Sequence, residues 1–200
     1  MSEQYKLPDG KVLVLRTCAE DQSSYGGYLW PQSGLAACDD WDPTPTCGHG
    51  LHGLLWGEGD GTLLSWSPGA KWLVVEVNAA DVVAIDSAKV KFSAGVVVYC
   101  GTRYEATRLV AAHAPAGTKI VGLIASVPDH AQHEGADRAT VSGGYGATVS
   151  GGECGLIAVK WWDDQAHRYR LAVGYIGEDG IEANTKYRVE GRGKLVKVED

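Results

Sequence analysis

The segment Cys47-Gly48-His49-Gly50-Leu51-His52 places one thiol and two imidazoles within six residues. Thiolate and neutral imidazole are good zinc donors. The spacing departs from the paired Cys-x-x-Cys and His-x3-His patterns of structural zinc sites, and a fourth ligand would have to come from Cys38, Asp39 or further away. The simpler reading is a glycine-rich turn entering a strand, with His52 hydrogen-bonded inside. No metal is therefore expected, and Cys47, His49 and His52 are the one candidate set. Trp30, Trp41, Trp56, Trp66 and Trp72 crowd the same half of the chain, beside Asp39, Asp40, Asp42, Glu58 and Asp60. Indole faces with carboxylates can stack sugars or nucleobases, or hold a cation. In a chain with one Phe and one Met they also serve as the large core residues. The pocket these residue types point to lies around Arg16, Tyr25, Trp30, His49, His52 and Trp56. A small nucleotide-like ligand would suit it. No nucleophile elbow, phosphate-binding loop or dinucleotide fingerprint accompanies them.

Short runs rich in branched residues must position these groups. Residues 11–16 predict a first strand, 71–78 a second, 82–85 a short one, and 89–100 a pair of strands. Residues 20–50 carry the Gly, Pro, Asp and Ser of loops. Arg103–Ala114 is the one helix expected, with Ala106, Leu109, Val110 and His113 at helical spacing and Pro115 as the stop. Residues 119–127 form an apolar run, and 129–138 read as a polar connector.

Ala139-Thr-Val-Ser-Gly-Gly-Tyr-Gly146 is then repeated as Ala147-Thr-Val-Ser-Gly-Gly-Glu-Cys154, with six identical residues at a period of eight. Eight residues suit one short strand and one tight turn, with Gly-Gly reversing the chain at positive φ. Stacked units of this kind make a β-roll or β-solenoid. Two units are too few to stand alone, so they must lean on flanking strands; an ordinary hairpin with a chance echo is the alternative. No Asp occupies the turns, so calcium is not expected. An antiparallel meander over 155–162, 168–176, 185–190 and 194–199 closes the chain. In it, Trp161 and Trp162 must face opposite sides.

The expectation is an α+β chain, mainly β: an N-terminal domain over 1–114, a strand and connector over 115–138, and the roll plus meander over 139–200. With 200 residues, 44% hydrophobic and 22% charged, the chain is not a disordered one. A net charge of −7 argues against bulk nucleic-acid binding. No apolar stretch is long enough to span a membrane, and the first residues carry no signal-peptide pattern. Five scattered cysteines then suggest free thiols and a cytoplasmic location.

Taken in order, Cys47, Gly50, Leu51 and His52, then Val75-Glu76-Val77, then Ala139–Cys154, then Arg170–Tyr175 with Asn184–Arg188 resemble an uncharacterised family of phage and prophage proteins. That resemblance implies an accessory protein in the host cytoplasm. It would act by binding the small nucleotide-like ligand or a host protein, with no cofactor. The N-terminal half also loosely resembles ADP-ribosyltransferase folds. This second resemblance implies NAD as cofactor, with Arg16 on its phosphates and His52 and Glu76 (or Glu105) as the remaining catalytic groups. The Ser-Thr-Ser and Glu-x-Glu marks of those enzymes are absent here. A third reading is a structural module in which the roll drives homo-oligomerisation through its edge strands.

Overall fold

A computed structural model describes residues 5–198 and shows an α+β chain that is mainly β. Its contacts divide it into two units, Met1–Thr118 and Lys119–Asp200. The dividing point lies inside the stretch expected as a connector: residues 115–118 belong to the first unit and 119–138 to the second. No helix among the described residues is long and apolar enough to cross a membrane.

The first unit is built on β1 (Lys11–Cys18), β2 (Gly34–Ala37), β3 (Leu51–Leu55), β4 (Lys71–Asn78), β5 (Val83–Ala84), β6 (Val90–Phe92), β7 (Ala94–Gly101) and α1 (Arg103–Ala111). The strands form one sheet in the order β2-β7-β4-β1-β3-β6-β5, with every pairing antiparallel. Leu13, Val14 and Leu15 on β1, and Leu73, Val74 and Val75 on the neighbouring β4, are all fully buried. Consecutive buried residues require a strand covered on both faces. Val14, Leu73, Val75 and Val77 pack with Trp30, Phe92 and Val97 on one side. α1 lies against β1, β4 and β7, with Ala106 and Val110 buried, and supplies a second cover. Thr102 caps the helix by accepting from the Glu105 N–H at 3.3 Å, and the Glu105 carboxylate accepts from the Thr102 hydroxyl. The helix ends at Ala111, three residues short of expectation, where the His113 N–H turns back only three residues to the Val110 carbonyl and tightens the last turn. The two strands expected in 89–100 are there, but β6 pairs with β3 and β5 while β7 pairs with β2 and β4.

The second unit contains β8 (Ile124–Val127), β9 (Gln132–Glu134), β10 (Thr140–Gly143), β11 (Thr148–Ser150), β12 (Leu156–Asp163), β13 (Arg168–Tyr175), β14 (Tyr187–Glu190) and β15 (Lys194–Lys197). The two octapeptides do not form a hairpin with each other. β10 pairs in parallel with β8 and β12, with Thr140 opposite Ile124 and Leu156; β11 pairs in parallel with β9, with Thr148 opposite Gln132. Each offset is sixteen residues, so two octapeptides make one solenoid coil and the polar stretch 129–138 is part of the coil below. Val127, Val141, Val149, Ile157 and Val159 fill the interior. The C-terminal strands are two hairpins rather than one meander. β13 extends the first sheet beyond β12, and β14–β15 covers the exposed edge of β11 in the second.

The turns correct one expectation. Gly143, Gly144, Gly151 and Gly152 do not adopt positive φ; His130, Arg138, Gly146 and Cys154 do, at 58°, 56°, 68° and 55°, eight residues apart. The second glycine of each pair is required for space. A Cβ on Gly144 would lie 2.2 Å from Asp129 Oδ1, and one on Gly152 2.3 Å from Asp137 Oδ1. Those carboxylates accept the N–H groups of Tyr145 (2.8 Å) and Glu153 (2.9 Å) from the coil above. The two tryptophans separate as alternation demands: Trp161 packs on Gly193, and Trp162 is exposed.

Candidate functional site

Five of the six residues expected to form a pocket line a single cleft of about 670 Å³ in the first unit: Arg16, Tyr25, Trp30, His49 and His52. Arg16 comes from β1, His52 from β3, and Tyr25 and Trp30 from the loop after β1. The Arg16 guanidinium lies over the Trp30 ring at 4.1 Å. It donates from Nη1 to the His52 carbonyl at 3.0 Å and from Nε to the Thr17 carbonyl at 3.3 Å. No carboxylate pairs with it among the described residues, and burial brings its pKa down to about 10. The cation is thus held by backbone dipoles and an indole face, an arrangement able to receive an oxyanion. His52 Nε2 is buried without a hydrogen-bond partner among the described residues. Burial first, then the charges of Lys89, Arg16 and Lys91, pull the His52 pKa below its ordinary value. The ring is therefore neutral near pH 7.

The other expected residues are elsewhere. Trp56, at φ 54° in the turn after β3, is not part of the cleft lining. Glu76 pairs in register with Leu13, whereas Arg16 pairs with Leu73. Directly opposed antiparallel residues share a face and neighbours alternate, so Arg16 and Glu76 project from opposite faces of the sheet. Glu76 instead accepts from the Tyr5 hydroxyl at 2.7 Å and lies 3.6 Å from Lys11 Nζ. Glu105 belongs to the cap of α1 and accepts from Tyr99. The trio Arg16, His52 and Glu76 is not a catalytic constellation. Cys47, His49 and His52 do not converge either: among the described residues no group of three His, Cys, Asp or Glu could hold a metal. His49 faces Asp40 at 3.5 Å, and the exposed Cys47 thiol accepts from Lys89 Nζ at 3.0 Å, which lowers its pKa. Lys91 is a residue the sequence did not flag. It is fully buried on β6, donates to the Gly48 carbonyl at 3.3 Å and lies 5.6 Å from the Trp41 ring centre.

In the second unit the outward rows run across the coils. On the first sheet they are Ile124–Thr140–Leu156 and Ser126–Ser142–Ala158; on the second they are Gln132–Thr148 and Glu134–Ser150. The repeated Thr-Val-Ser thus presents hydroxyls at matched positions on both faces of one coil. Ser150 is nevertheless covered, at 4% exposure.

This chain is similar to bacterial ice nucleation proteins. It is 38% identical over 108 residues to ice nucleation protein InaU of Pantoea ananas, covering 54% of this chain and 10% of that protein. With an ice nucleation protein of Pseudomonas fluorescens it shares 44% identity over 97 residues, covering 48% and 8%. With one of Pseudomonas syringae pv. syringae it shares 34% over 152 residues, covering 66% and 13%. The chain spans about a tenth of the length of the ice nucleation proteins it matches. No protein-family model and no solved structure matches it. These relatives overturn the resemblance to a phage and prophage family, the accessory ligand-binding role drawn from it, and the ADP-ribosyltransferase alternative with its NAD. The cytoplasmic expectation is overturned by the same relatives, which are ice nucleation proteins.

Proposed function

We propose that Lys119–Asp200 serves as the capped end of a β-solenoid of the ice-nucleation type. The observation that carries this reading is the asymmetry of the two sheets. On one side the coils are closed by antiparallel hairpins, β12–β13 and β14–β15. On the other, β8 and β9 have no further strand partner among the described residues. A solenoid needs a terminal unit of different structure wherever coil stacking stops. The hydroxyl rows agree with an end rather than a working array. A surface that orders water needs hydroxyls repeating from coil to coil at the strand spacing of about 4.8 Å. Here Thr140 has Ile124 below it and Leu156 above, and Ser126 and Ser142 are followed by Ala158, so neither row on this sheet carries a hydroxyl through all three coils.

Droplet freezing tests the reading. The chain as it stands is expected to freeze with its buffer. Insertion of sixteen-residue coils copying Ala139–Cys154, placed after Cys154 to keep register, is expected to raise the freezing temperature with each block added. Inserted coils that fold by circular dichroism and leave freezing at the buffer value would overturn the proposal, as would nucleation by the unextended chain.

A further inference from the structure

β13 reads Arg168-Tyr-Arg-Leu-Ala-Val-Gly-Tyr175 and is the outermost strand of its sheet. Its odd residues stand on the outer face: Tyr169, Leu171, Val173 and Tyr175 are 53%, 54%, 49% and 54% exposed. The Ile176 N–H donates to the Gly155 carbonyl at 2.9 Å, and the register opposes Tyr175 to Leu156 and Gly174 to Ile157. In an antiparallel ladder the inward-bonding residues alternate. The even residues therefore bond to β12, and the peptide groups of Tyr169, Leu171 and Val173 point away from it. An eight-residue edge strand in unbroken register, with Tyr, Leu, Val and Tyr exposed on its outer face, is the kind that natural proteins normally blunt with charge, proline or a bulge. Here the only charged residues on the strand are Arg168 and Arg170, and Arg170 is tied to Asp163 at 2.6 Å.

We propose that this edge pairs with β13 of a second copy of the chain, antiparallel, about a two-fold axis through Ala172. The strand is complementary to itself in that register. Tyr169 falls opposite Tyr175 of the other copy and Leu171 opposite Val173, so aromatic meets aromatic and aliphatic meets aliphatic on one face. Leu171 and Val173 are outward-bonding residues, so the register joins their donors to the other copy's acceptors; at the end of the strand the Tyr175 carbonyl already accepts from the Glu178 N–H at 3.1 Å, so the central pair carries the ladder. Arg170 faces Gly174 and Arg168 faces Ile176, so no like charges oppose each other. The Tyr169 ring is already held: it packs edge-on against Trp162 at 5.1 Å and against Tyr145 at 6.2 Å, which lowers the ordering cost of pairing. The two sheets become one of eight strands, as an isologous contact requires.

Sedimentation of the full chain over a concentration series tests this. A monomer–dimer equilibrium is expected, and it should tighten with salt because each copy carries a net charge of −7. Val173→Pro removes an outward N–H and leaves the β12 ladder intact, so the fold should hold while dimerisation weakens about tenfold or more. Leu171→Cys mixed with Val173→Cys, in chains lacking the exposed thiols Cys47 and Cys154, should cross-link on oxidation, whereas Leu171→Cys alone should not. A strictly monomeric chain overturns the proposal. So does a dimer unaffected by Val173→Pro, or one that salt dissociates as it would an acidic peptide held by Arg168 and Arg170.

Discussion

In Met1–Thr118 the strands run antiparallel and the central pairings join strands far apart in sequence, β2 against β7 and β1 against β4. In Lys119–Asp200 the strands of the coils run parallel, and each finds its neighbour sixteen residues away. The first arrangement buries its centre only when the whole sheet is assembled. The second buries a coil against its neighbour, so its stability grows by nearest-neighbour steps. The first unit can therefore spend its interior on one irregular cleft, with an Arg on a Trp face. The second repeats a surface and needs caps.

The largest expected effects come from cutting each core. Leu73→Ala and Ile157→Ala both truncate fully buried side chains, and each should cost about 2–5 kcal/mol. Calorimetry is expected to show two transitions, Leu73→Ala lowering one and Ile157→Ala the other. If either substitution lowers both equally, the units do not unfold separately and the contrast between them fails.

Glycine contacts sharpen the comparison at a smaller scale. A Cβ at Gly53 would lie 2.4 Å from Val14 Cγ1 and 2.8 Å from the Leu15 carbonyl, a single crowded point between β3 and β1. A Cβ at Gly152 meets Asp137 and its backbone, the contact made again by Gly144 with Asp129. Gly53→Ala and Gly152→Ala should each cost about 1–3 kcal/mol. Asp137→Ala added to Gly152→Ala should relieve part of the strain, because the nearest clashing atom is a side-chain oxygen. At Gly53 the nearest atom is also a side-chain one, Val14 Cγ1, but Val14 is fully buried in the sheet, so truncating it opens a cavity instead of giving relief. Equal melting of Gly152→Ala with and without Asp137→Ala would show that the backbone of Asp137, 2.5 Å away, dominates that contact.

The same difference governs what could be read from the sequence. A period of eight is visible in Ala139–Cys154 because solenoid geometry is written once per unit, and it gave the roll correctly. It did not reveal that Leu123–Arg138 forms the coil below, because Pro128, His130 and Gln132 replace the small residues there while the left-handed turn positions remain. The pocket was legible as residue types: Arg16, Tyr25, Trp30, His49 and His52 do meet. Trp56, expected in the pocket, and Glu76, expected beside Arg16 only in the enzyme reading, fall outside it on facts that no local pattern carries: Trp56 sits in the positive-φ turn after β3, and the strand register sets Glu76 on the far face. The helix and its stop were local signals, and the stop erred by three residues. The buried Lys91 has no local signature, since a lysine in a strand ordinarily faces water.

The smallest effect tests how each unit holds its histidine. His52 and His133 both have pKa values lowered by burial. Around His52 three cations, Lys89, Arg16 and Lys91, lower it further, while at His133 the neighbouring Glu134 opposes the shift. A histidine whose folded pKa lies below its unfolded value of about 6.5 binds fewer protons when folded, so stability falls as pH drops below that value and is unaffected well above it. The first unit should therefore lose more stability to mild acid than the second. His52→Gln, which cannot take up the proton, should flatten the fall of the first unit's melting temperature below pH 6.5 and leave the second unit's unchanged. Parallel slopes for the wild-type chain and His52→Gln would mean that His52 gains its proton without cost, and the electrostatic contrast between cleft and solenoid would then disappear.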